Sequence, residues 1–177
     1  MSEPESTAPA EPSPFWRFSL RFYAVPGVAP ACIELQDRAG VDVNVLFFLL
    51  WNAAQGRTLS QAEVADIDRK VGAWRDVAVV PLRSIRRALR TPPAIMAADV
   101  AEGFRNRIKA AELEAERLQQ EALYRLAQPV IGSAAPSAVE AARASIAAYQ
   151  AVLRPFPPGP LDTVLTAFAK FETAGKA

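Results

Sequence analysis

Two serines, Ser60 and Ser137, each stand three residues before a glutamate, Glu63 and Glu140, and each precedes a run of apolar residues spaced by three and four. That arrangement starts an α-helix. The serine hydroxyl accepts from the backbone N–H three residues on, and the glutamate reaches back to the N–H of the cap. Leu59 and Val64 sit where a hydrophobic staple closes over the first of these turns. Behind the caps, Val64, Ile67, Val71 and Trp74 follow one helical face, as do Val139, Ala142, Ile146, Tyr149 and Leu153. No stretch alternates with period two for long enough to make a strand. The chain is therefore expected to be all-α, a compact domain of seven or eight helices.

The remaining boundaries follow from the same signals. Residues 1–13 are rich in Pro, Ser, Glu and Ala and lack large apolar side chains, which predicts a disordered tail. Ser13-Pro14 caps a first helix that stops near Pro26-Gly27. A second runs from about Ala29-Pro30 to Gly40, and Asp42 caps a third, VNVLFFLLWNAAQ, which is apolar nearly all round and so central and buried. After the Ser60 helix, Val77 to Val80 either extend that helix or form an extended link to a helix beginning at Pro81 and ending at Thr91-Pro92-Pro93. A long helix spans about Ala94 to Gln128, with Val100, Phe104, Ile108, Ala111, Ala115, Leu118 and Ala122 as its inward seam. Pro129 to Pro136 is a loop, and a short helix carrying Leu161, Val164, Leu165, Phe168 and Phe171 closes the chain. Two lobes are an open alternative: an aromatic-rich module over 14–91, and an Ala-rich hairpin plus terminal helix over 94–177, packed on the first as one domain.

Composition removes several chemistries. There is no histidine, so the commonest general base and metal ligand are missing. Cys32 is the only cysteine, which excludes an intrachain disulfide and any multi-cysteine metal cluster. No GxGxxG or GxxxxGK[ST] phosphate loop occurs, nor an aspartate-rich DDxxD motif. No metal or other cofactor is expected. Lys plus Arg number 20 against 19 Asp plus Glu, a net charge of +1, so bulk charge gives no reason for nucleic acid as a partner. The longest apolar run, Val45 to Trp51, is 7 residues, far short of the roughly 20 that span a bilayer. The first residues carry three glutamates and no base, unlike a signal or transit peptide, and a cytoplasmic location is expected.

The segment PLRSIRRALR stands out against that neutral background. At about 100° per residue, Arg83, Arg86, Arg87 and Arg90 fall within an arc of roughly 100°, with Leu82, Ile85, Ala88 and Leu89 on the opposite side. No acid lies between Asp76 and Asp99 to neutralise them. Leu82, Ile85 and Leu89 are expected to anchor this helix, leaving Arg86, Arg87 and Arg90 turned away; Arg83, near the helix N-terminus, would prefer an acidic neighbour. Guanidinium groups pair bidentately with carboxylates and phosphates. The competing explanation is that the four arginines pair with acids of neighbouring helices or face water.

Two further groupings are candidates. Asp37, Asp42 and Asn44 flank the junction before the apolar third helix and could form a polar pocket, although Asp42 as a helix cap explains itself. The aromatics Phe15, Trp16, Phe18, Phe22, Tyr23, Phe47, Phe48, Trp51 and Trp74 read first as a core, and otherwise as the wall of a groove for an apolar ligand.

The phrases FW-x-FSL-x-x-Y, PGV-x-x-x-C, LQD-x-x-G-x-DVN with Trp51, and Trp74 leading into PLR-x-x-RR resemble a proteobacterial family of small proteins catalogued as a domain of unknown function. The resemblance covers about residues 14 to 127 and implies no activity or catalytic residue. Two functions stay open on the sequence. One is a non-enzymatic interaction module that presents the arginine helix to an acidic protein. The other is a binder of an anionic small molecule or lipid, or an enzyme acting on one, with an apolar pocket between the aromatic helices. Arginines at the mouth of an apolar pocket favour the second; arginines on a flat exposed face favour the first.

Overall fold

A computed structural model supplies the fold and describes residues 11–128 and 131–174. Most of the predicted tail lies outside those residues, but its last residue does not behave as a tail. Ser13 is buried, accepts from the Trp16 N–H at 3.1 Å, and donates its own N–H to Glu121 at 3.0 Å. It caps α1 (Pro14–Tyr23). A left-handed glycine, Gly27, leads into α2 (Val28–Ala39), and another, Gly40, ends it.

Asp42 caps α3 (Val43–Ala54) by accepting from the N–H groups of Asn44 and Val45. Val45 through Leu50 are buried on every side, so α3 is the axis of the molecule. α1, α6 and α7 pack against it, and α8 lies on α2 and α7. Phe22 joins these layers through edge contacts with Phe47, Phe168 and Phe171. Each fully buried phenylalanine of this kind contributes about 1.5–3 kcal/mol through the area it removes from water. Trp51 is only half-buried, at the end of the run, stacked on Phe48 and edge-on to Tyr124.

A short ladder escaped the sequence reading. β1 (Arg57–Thr58) pairs antiparallel with β2 (Ser133–Ala134), a bridge too short to leave a period-two pattern. The Arg57 guanidinium donates to the carbonyls of Ile131 and Gly132, and Glu63 accepts the Gly132 N–H. Pro129 and Val130, part of the predicted loop, lie outside the described residues. α7 (Ala138–Val152) starts at the expected Ser137 cap, and α8 runs over Pro158–Ala174.

The segment that places the arginines is one continuous rod. α4 (Gln61–Trp74) begins at the full capping box of Ser60 and Glu63 and runs without a break through a π turn (Arg75–Val79) into α5 (Val80–Ala88). Counting that rod once, the described residues form seven helical units. Pro81 explains the wide turn: it has no N–H for the carbonyl four residues back, and its ring would clash there. A π turn adds one residue, and one residue is about 100° of rotation. In a regular helix, Leu82, Ile85 and Leu89 would continue the inward face of Val64, Ile67 and Val71. The inserted residue moves that face on by one, to Arg83 and Arg86, while Arg90 lies in the turn past the helix and is exposed.

The expected anchoring of α5 is therefore overturned. Ile85 is 44% exposed, Leu82 and Leu89 are only partly buried, and no residue of α5 is fully buried. The partner is α6 (Ala98–Leu126), which runs antiparallel to α5 after the turn at Thr91–Ala97. Its predicted seam is rotated as well. Val100, Phe104 and Leu118 are exposed; Ala115 is buried as predicted, but the rest of the buried line is Ala101, Glu112, Gln119, Gln120 and Leu123. Polar side chains in the seam of α6 meet arginines in the seam of α5, so both helices leave apolar residues outside.

Candidate functional site

The arginines face a glutamate ladder on α6. Arg83 donates through Nε to Glu112 at 3.0 Å and through Nη2 to Glu116 at 2.6 Å. Arg86 grips the Glu112 carboxylate with Nε and with Nη2, the latter at 3.1 Å. Arg87 reaches across to Asp37 on α2 at 2.9 Å, with both side chains largely exposed. Burial alone would push the Glu112 carboxyl up, but the hydrogen bonds from Arg86 and Arg83 outweigh it and hold the group below its ordinary range. Glu116 goes the other way. Burial pushes it up, and Arg83 only partly offsets this while Glu112 adds like-charge repulsion.

These pairs do not close the space beside them. Between α5–α6 on one side and α1, α2 and the start of α3 on the other lies a cleft of ≈ 570 Å³, a size usual for small-molecule sites. Its apolar wall is Trp16, Leu20, Tyr23, Ile33, Phe47 and Leu113. All four arginines line it, together with Lys109. Five cationic side chains face three acidic ones, Asp37, Glu112 and Glu116, which leaves a net charge of +2 on the lining. Among the described residues, Arg90 and Lys109 have no ion-pair partner.

The polar residues before α3 divide between two places. Asp37 is at the cleft mouth, paired with Arg87. Asp42 is buried behind the cleft, where its carboxylate accepts from Gln119 at 2.7 Å and Arg75 at 3.2 Å, and its N–H donates to the Tyr149 hydroxyl at 3.1 Å. Arg75 also binds Asp68 at 2.7 Å, so this network ties the π turn to α3, α4, α6 and α7. Asn44 lines the cleft and accepts from Gln120 Nε2 at 2.8 Å. The Ser19 hydroxyl and the Gln120 carbonyl oxygen, both on cleft-lining side chains, are buried without a hydrogen-bond partner among the described residues. Cys32 also lines the cleft, but burial pushes its thiol up to about 12, so it is no nucleophile at neutral pH.

Sequence reasoning missed Lys109, Glu112, Glu116 and Gln120. Their spacing by three and four was visible, but on a helix that also carries an apolar stripe the polar stripe reads as the solvent face. Among the described residues no group of three or more His, Cys, Asp or Glu side chains is placed to hold a metal ion, and no helix is long and apolar enough to cross a membrane.

Fold and site together define an all-α protein with an apolar, cation-rimmed cleft. The chain belongs to the family described as a protein of unknown function (DUF2390), which matches residues 14–123. Every residue lining the cleft, from Trp16 to Gln120, lies inside that match, whereas β2, α7 and α8 fall beyond it. No curated protein and no solved structure matches the chain.

Proposed function

We propose that this protein binds an anionic amphiphile, with the apolar body between α1, α2 and α6 and the acidic head at the arginine-lined mouth. The observation that carries the reading is that all four arginines of PLRSIRRALR line one apolar cleft. An acidic protein partner is less well served, because Arg83 and Arg86 already hold Glu112 and Glu116. A chain whose one cysteine is buried and reduced suits the cytoplasm, and that is the setting we propose. The test is a titration with octyl sulfate and with uncharged octyl glucoside, followed by calorimetry. Octyl sulfate should bind one to one and about tenfold or more tighter, a difference of ~1.4 kcal/mol. Arg90→Ala combined with Lys109→Ala should remove that preference. Equal affinity for the two amphiphiles would contradict the reading.

A further inference from the structure

Resting on that reading, we propose that the bound head group is doubly negative, a phosphate monoester carried on an apolar body, and that Arg90 and Lys109 are the residues that select it. The α5–α6 ion pairs leave two cleft cations without an acid. Arg83 meets Glu116, and one turn further along α5 Arg86 meets Glu112, one turn earlier on α6. Arg90 lies in the turn just past α5, and Lys109 one turn before Glu112 on α6. Arg83 and Arg86 meet acids; Arg90 and Lys109 line the same cleft and meet none at ion-pair distance among the described residues.

Both Arg90 and Lys109 line the cleft, and neither has an ion-pair partner among the described residues. Nearby carboxylates are committed elsewhere: Asp37 to Arg87, and Glu102 to Arg105 through two bonds of 2.7 Å, with Lys109 adding only a weaker, longer-range attraction to Glu102. Two unpaired cations on one cleft are best balanced by an anion bound between its walls, and a monoanion would leave one charge uncompensated. The net charge of +2 on the whole lining gives the same count. A phosphate monoester carries about −1.5 to −2 at neutral pH and offers three acceptor oxygens, enough for a guanidinium and an ammonium together. The carbon chain attached to it would run inward along Leu113, Tyr23 and Phe47.

The experiment compares octyl phosphate with octyl sulfate, which have the same chain and different charge, by calorimetry on the whole protein above the second phosphate ionisation at about 6. Octyl phosphate should bind about tenfold tighter. Arg90→Gln and Lys109→Gln should each shrink that advantage to about threefold and leave octyl sulfate binding measurable. Neither side chain makes an ion pair among the described residues, so circular dichroism should show each variant folded. Inorganic phosphate alone should bind far more weakly than octyl phosphate. Two further arms locate the monoester. Capture of the protein on phosphatidylcholine vesicles containing phosphatidate, reversed by octyl phosphate, assigns it to a lipid. Octyl phosphate binding without capture assigns it to a free molecule. Equal affinity for octyl phosphate and octyl sulfate would overturn the dianion and leave the anionic-amphiphile reading standing. Failure of both to bind would overturn both.

Discussion

Glu112 is the residue through which α5 is held to the body of the protein, and its removal has a calculable cost. Glu112→Ala deletes the acceptor of three guanidinium N–H groups, one from Arg83 and two from Arg86. A hydrogen bond to a charged group is worth about 1.5–3 kcal/mol. The full sum does not apply, because Arg83 keeps Glu116 and the two arginine side chains are 18% and 19% exposed, so water can reach them. Breaking a fully buried pair costs ~3–5 kcal/mol, and a partly hydrated one should cost ~2–4 kcal/mol. For a chain of this length, each kcal/mol moves Tm by about 2–4 °C, so a fall of roughly 5–15 °C is expected. Amide exchange should rise across Val80–Ala88, which has no fully buried residue of its own. Replacing the whole cluster, Arg83→Met with Arg86→Met, Glu112→Leu and Glu116→Gln, should cost less than Glu112→Ala alone, since apolar packing substitutes for the pairs without leaving a charge stranded. A Glu112→Ala variant melting within about 2 °C of the parent would refute the assignment of α5 docking to this carboxylate.

Three other outcomes are expected. Gly132→Ala should destabilise the chain by about 1–3 kcal/mol, because φ is +76° and a Cβ would lie 2.6 Å from the Thr58 carbonyl oxygen; urea denaturation checks it, and an unchanged midpoint would contradict it. Deleting Ala78 should return the rod to regular α phase, turn Leu82, Ile85 and Leu89 toward α6 and abolish octyl sulfate binding; retained binding would show that the π turn does not set the arginine register. Glu112 titrates below its unfolded value, so its contribution is complete above the ordinary carboxylate range of about 4.3 and is lost as pH falls through the lowered value; Glu116 titrates above, so its part favours folding as pH falls through the raised value. Urea midpoints across acid pH should therefore fall less steeply in Glu112→Gln and more steeply in Glu116→Gln than in the parent.

What the sequence makes legible is what local chemistry decides. The caps at Ser13, Asp42, Ser60 and Ser137 act over three residues, and all four hold the helices they were read to start. α3 is buried because no rotation of VNVLFFLL exposes a polar face. The orientation of the arginines is not local. It depends on one extra residue in the turn before Pro81, which moves Arg86 inward and Ile85 outward although their order in the chain is unchanged. The same limit hid the α6 seam. Val100, Phe104 and Leu118 have the spacing of a buried face, but the arginines of α5 require Glu112 and Glu116, and the helix turns accordingly. A hydrophobic pattern locates a helix reliably and orients it only when the facing helix is apolar as well.

The most direct measurement is a map of backbone amide shifts in solution as octyl phosphate is added. Perturbations should concentrate on the cleft walls, from Ser19 to Tyr23, from Ile33 to Asp37, and on α6 from Lys109 to Gln120, with the largest at Lys109 and Arg90. Shifts confined to the opposite, apolar side of the α5–α6 hairpin, around Ile85, Val100, Phe104 and Leu118, would contradict the cleft as the site of binding.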